Sequence, residues 1–172
     1  VKVTKLKEGY CWGYLISRKL ITDNNLSFPE KVAFMEDWAF ITQAILKSKT
    51  FVNADTLLYI YRRNSASCMA NVTTEKMLLG CQAIDIVANL VQQTSGAVKK
   101  KLSDNVCVNI NIVLLFTIHY NEIFSRRKEI IKALSELLQK VEKQYIPRSL
   151  HLFLLFPNMY VITRNRLASR KY

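Results

Sequence analysis

Beyond Asn71 the apolar residues of this chain recur every three or four positions, and that rhythm restricts the second half of the molecule to helices. Met77, Leu78, Cys81, Ile84, Val87, Leu90 and Val91 mark one such stretch, and Ile130, Ile131, Leu134, Leu137, Leu138 and Val141 mark another. The spacing places each set on one face of an α-helix. Thr73 or Thr74 can cap the first helix, which is expected to end around Ser95 and Gly96. Further helices are expected over residues 98–124, over residues 128–145 and from Pro147 onward. Glu136 and Lys140 are expected outside, on the solvent side of the third. Links as short as Ser125-Arg126-Arg127 make consecutive helices neighbours, so the expected arrangement is a compact bundle.

The first part of the chain has a different texture. Residues 9–16 are aromatic and apolar without helical period, which favours a strand, and Thr22-Asp23-Asn24-Asn25 supplies turn chemistry. Glu36 and Asp37 then open a helix reaching about Lys47, since acids in the first turn and lysines at the end both suit the helix dipole. Thr50 to Asn53 and Thr56 to Tyr61 read as two short β segments. The expected class is therefore α+β, with a mixed front over residues 1–71 and a helical extension over residues 72–172, helix predominating. Half of the 172 residues are hydrophobic, enough for a substantial core.

Lys and Arg number 25 against 13 Asp and Glu, a formal charge of +12 spread along the chain. Such a field favours polyanions: nucleic acid, anionic headgroups or nucleotide diphosphates. Cys11, Cys68, Cys81 and Cys107 are far apart, with only His119 and His151 as partners, so neither a zinc site nor a disulfide framework is indicated. A reducing cytoplasmic compartment is the simpler expectation. Val1 and the basic, polar residues that follow it lead us to expect that the chain begins inside a longer protein. The greasiest stretches, residues 106–118 and 150–162, fall short of the ~20 apolar residues that span a bilayer.

Three short segments could carry chemistry. Glu36-Asp37 offers adjacent carboxylates, although acids at a helix start most often serve only the dipole. Arg62 and Arg63 follow the Tyr59-Ile60-Tyr61 run, and guanidinium groups bind phosphate oxygens in bidentate fashion. Trp12, Trp38 and Tyr61 are aromatic faces of the kind that stack on sugars, although a lone tryptophan in an apolar run belongs to a core more often than to a site. Tyr59 and Tyr61 share one face of an extended strand.

In their order, Cys11-Trp12-Gly13-Tyr14-Leu15-Ile16-Ser17-Arg18, Glu36-Asp37 and Tyr59 to Ser67 resemble the acceptor-side half of a family 2 glycosyltransferase of the GT-A type, as found in bacterial surface polysaccharide synthesis. The resemblance covers about a third of the chain. It implies an inverting transfer of sugar from a nucleotide-sugar donor to a hydroxyl acceptor. Asp37 would be the general base, with Glu36 beside it. Arg62 and Arg63 would meet the donor diphosphate, and Trp12, Trp38 and Tyr61 would shape the acceptor wall. The nucleotide-binding half has no counterpart in the sequence, which contains no D-x-D and no glycine-rich phosphate loop. The resemblance accordingly implies that Mg²⁺ or Mn²⁺ belongs to the complete enzyme and that this chain alone is inactive and without a metal.

The remaining partner expectations come from the C-terminal segment. Phe153, Leu154, Leu155, Phe156, Met159, Tyr160 and Val161 precede Arg164, Arg166, Arg170 and Lys171, a pattern suited to peripheral contact with the inner face of an anionic membrane, where lipid-linked acceptors reside. The alternative to the enzyme is a non-catalytic basic helical module for nucleic acid or an anionic membrane. Dispersed basic residues and the lack of a recognition signature speak against nucleic acid.

Overall fold

The computed structural model describes Leu6 and residues 9–52, 59–60 and 72–169. Eight α-helices occur among these residues: α1 (Arg18–Asp23), α2 (Glu36–Lys47), α3 (Thr74–Gln92), α4 (Gly96–His119), α5 (Asn121–Ser125), α6 (Arg127–Gln139), α7 (Arg148–Leu155) and α8 (Pro157–Ser169). Single 3-10 turns lie at Cys11–Gly13 and Lys143–Tyr145.

No strand is present among the described residues, so the expected α+β class is replaced by an all-helical one. Residues 9–16, expected as a strand, are extended on either side of the 3-10 turn, which closes when the Tyr14 N–H donates to the Cys11 carbonyl at 3.2 Å. Tyr10 and Tyr14 have β-region dihedrals. An extended segment becomes a strand only when a neighbour pairs with its backbone, and none does here. Phe51, Val52, Tyr59 and Ile60 likewise pair with no strand; the rest of the two expected β segments lies outside the described residues.

The helices correct several expected boundaries. Thr22 and Asp23 close α1 instead of forming a loop, and the turn comes at Asn24 and Asn25, where Asn25 takes φ 50°. Gly96 does not end α3; with φ +56° it begins α4. The helix expected over residues 98–124 breaks at Tyr120, whose β-region dihedrals separate α4 from α5. The segment from Pro147 breaks at Phe156, because the residue before Pro157 is barred from the α region. Thr73 caps α3 as expected, its Oγ accepting the Lys76 N–H at 3.3 Å.

Helices α3 and α4 form the centre. α3 packs against α2, α4 and α6, while α4 also meets α5, α6 and α8. Their facing residues include Ile84, Val87, Ala88, Val91, Leu102, Val106, Ile110 and Val113, all with no exposed surface. α2 contributes Trp38, Ala39, Phe40, Ile41, Ala44 and Ile45 to the same continuous core. α4 is long and apolar enough to cross a membrane by length and composition, which residues 106–118 alone did not suggest; half of its apolar window is buried among the other helices.

Gly80 allows the close approach of the front segment to α3. A Cβ there would stand 2.6 Å from the Phe34 ring. Phe34 in turn meets Phe116 of α4 edge to face, at 6.4 Å between ring centres. The next residue, Met35, adopts φ 64° and redirects the chain into α2.

Candidate functional site

α2 begins with the bounds its end charges suggest, but without a side-chain cap from the residue before it. Met35, at the N-cap position, is left-handed, a conformation costing a non-glycine residue roughly 1–2 kcal/mol. Its carbonyl accepts the first helical hydrogen bond, from the Ala39 N–H at 3.1 Å. Asp37 Oδ1 accepts the Trp38 N–H at 2.8 Å, so the carboxylate satisfies one of the donors that a helix start leaves open.

Asp37 and Glu36 are both half-buried at this helix start. Burial pushes the Asp37 carboxyl above its usual range, and the Glu36 charge adds to the effect; the hydrogen bond from Trp38 acts in the opposite direction. A carboxylate raised in this way is a better proton acceptor at neutral pH than an exposed aspartate.

The first segment of the front closes over this pair. The 3-10 turn Cys11–Gly13 packs against α2. Burial, followed by the charge of Asp37 and then that of Glu36, raises the Cys11 thiol, which places this half-buried side chain within the field of both acids. Next to it, Tyr10, Trp12 and Tyr59 form a run of stacked rings. The centroids of Tyr10 and Trp12 are 5.0 Å apart, and those of Trp12 and Tyr59 are 4.7 Å apart, with interplanar angles of 22° and 18°. All three rings reach solvent, and Ile60 beside Tyr59 is 87% exposed.

The structure thus assembles Asp37, Glu36 and Trp12 in one region, with Tyr59 stacked on Trp12. Trp38 is placed differently. It is 6% exposed, and a Cβ on Gly9 would sit 3.5 Å from it, so its indole packs in the core beneath the first segment. Tyr61, Arg62 and Arg63 lie outside the described residues. Tyr10 carries no expected role in the sequence, and Cys11 has one only as the first residue of its motif. The two-residue spacing of Tyr10 and Trp12 would put both rings on one side of an extended backbone, but Trp12 lies in the 3-10 turn, so their stacking follows from that turn.

Other chemistry-bearing groups do not join this cluster. Burial pushes the Cys81 and Cys107 thiols up to about 12, with the Asp104 charge adding to the second, and both behave as small apolar core groups. An apolar groove of about 310 Å³ on α4 is lined by Ile112, Leu115, Phe116, His119 and Tyr120, none of them a candidate residue. Among the described residues no three His, Cys, Asp or Glu side chains converge to hold a metal ion. Comparison with protein-family models, curated proteins and solved structures returns no match.

Proposed function

We propose that this chain is the acceptor-side part of an inverting glycosyltransferase, with Asp37 as general base and the Tyr10, Trp12 and Tyr59 rings as the platform for the acceptor sugar. The observation that carries this reading is the packing of the Cys11–Gly13 turn against the start of α2, which sets an exposed aromatic stack beside a half-buried pair of acids. It rests on this geometry and on the order of the motifs, not on any relative.

In such a transfer the acceptor hydroxyl oxygen bonds to the anomeric carbon while its proton passes to the Asp37 carboxylate. The bond from that carbon to the nucleoside diphosphate breaks, and its electron pair leaves on the phosphate oxygen. A positioned base contributes about 10²- to 10⁴-fold in rate. The ring faces hold the C–H side of the acceptor and fix its approach. Glu36 keeps the local field negative, which favours a protonated neighbour once the proton has moved.

The test is a calorimetric titration with UDP and GDP in the presence of Mn²⁺, run on this chain and on the protein expressed from its full open reading frame. The reading predicts binding and sugar transfer only in the latter. No binding in either would overturn it.

A further inference from the structure

We infer that the α7 and α8 segment docks on an anionic phospholipid surface, through the apolar face formed by Leu152, Leu155, Phe156 and Met159. These four side chains are 59%, 68%, 58% and 67% exposed, although the opposite side of the same segment is already filled. Leu150, Phe153 and Val161 are fully buried in the bundle, and Phe153 meets Tyr160 edge to face at 5.8 Å. The segment is therefore apolar both toward the core and toward solvent. A folded chain has no internal use for the second apolar face.

Local geometry groups the exposed residues. Arg148, Leu152 and Leu155 follow spacings of four and three on one side of α7, and Met159 and Arg166 lie seven apart on one side of α8. Phe156 stands at the joint, where its N–H donates to the Leu152 carbonyl at 3.1 Å and its carbonyl accepts the Tyr160 N–H at 2.8 Å. Backbone hydrogen bonding thus runs through the break between the helices. Along the segment the exposed apolar side chains are flanked in sequence by the exposed Arg148 on one side and Arg166 on the other.

Charge selects the occupant. From Lys143 to Tyr172 the sequence holds Lys143, Arg148, Arg164, Arg166, Arg170 and Lys171 and no acidic residue, the last being Glu142. A second copy presenting the same segment would be repelled. Nucleic acid would satisfy the arginines but gain nothing from covering Leu152, Leu155 and Met159. An anionic membrane satisfies both, with headgroups on the guanidinium groups and the acyl boundary on the apolar side chains. This inference is independent of Asp37 and of the transferase reading.

Co-sedimentation of the 172-residue chain with vesicles of equimolar phosphatidylcholine and phosphatidylglycerol, and with vesicles of phosphatidylcholine alone, tests the inference. Binding is expected to the mixed vesicles only, and to weaken as salt is raised. The double variant Leu155→Ser with Phe156→Ser should lower partitioning at least about tenfold, and Arg148→Gln with Arg166→Gln should do the same. Both sets of side chains are exposed, so thermal melting should be unchanged and serves as the folding control. Wild-type partitioning by both variants, equal binding to the two vesicle types, or loss of the chain from mixed vesicles to added RNA would overturn the inference.

Discussion

The segment up to α2 and the bundle from α3 to α8 solve the folding problem in opposite ways. In the bundle, the facing residues of α3, α4 and α6 are sealed from water, few polar side chains (Thr74, Ser103 and Thr117) are buried with them, and ion pairs such as Lys99 with Glu142 and Lys140 with Asp85 tie neighbouring segments. The front segment carries three left-handed non-glycine residues, Asn25, Lys31 and Met35, a half-buried carboxylate, and the Tyr10 and Trp12 rings, on which Tyr59 stacks from beyond α2, all open to solvent. The left-handed residues and the burial of the carboxylate cost stability, which the stacking of the rings offsets in part. The front segment shares the core through α2 and Phe34, and it also holds in place groups that lie outside that core.

The largest expected effect is in the bundle. Leu134 of α6 is fully buried, so Leu134→Ala should lower the unfolding free energy in urea by about 2–5 kcal/mol through lost transfer energy and a residual cavity. A loss below about 1 kcal/mol would mean that this region is loosely packed and would remove the contrast.

A smaller effect is expected where the two regions meet. Glycine inside a helix is ordinarily improved by alanine, by roughly 1 kcal/mol. At Gly80 the sign should reverse, because the new methyl group would stand 2.6 Å from the Phe34 ring and force it aside. Gly80→Ala is expected to destabilise by about 1–3 kcal/mol, and adding Phe34→Leu should restore part of the loss. If Gly80→Ala is stabilising, the front segment does not press on α3 as described.

The smallest expected effect concerns Asp37, and it has the opposite sign. The folded carboxyl is held above its ordinary value, so the folded state binds the proton more tightly than the unfolded chain does. The ionised form therefore subtracts from stability, and the penalty grows as pH rises from the ordinary carboxylate range through the raised folded value. Asp37→Asn should melt slightly above wild type at neutral pH. The difference should close in acid, below the unfolded value, where Asp37 is neutral in both states. The amide oxygen can still accept the Trp38 N–H, so the helix start is preserved.

The same contrast governs what could be read from the sequence. Helix α2 has the expected bounds because its signals are local: acids in its first turn and Lys47 in its last. The α3 periodicity is also visible directly, since burial on one face repeats with the helix turn. Residues 9–16 misled because aromatic and β-branched residues indicate an extended backbone, and extension alone does not say whether a partner strand exists. Gly96 misled because a left-handed glycine suits a helix end and equally the residue that starts the next one. At the site, neighbours on a helix point about 100° apart. Asp37 can therefore face the turn of Cys11–Gly13 while Trp38 enters the core, and the adjacent pair of letters does not reveal which does which. Stacking of Tyr59 on Trp12 joins residues distant in sequence and depends on tertiary packing that local patterns do not encode.

The most direct test of the central claim is sugar transfer by Asp37→Asn in the protein expressed from its full open reading frame, with folding followed on the same sample. The account predicts unchanged nucleotide-diphosphate affinity, a melting temperature no lower than wild type, and turnover reduced by about 10²- to 10⁴-fold. Turnover close to wild type, or a variant that no longer folds, would contradict it: Asp37 would then be a structural residue of the α2 start and not the base.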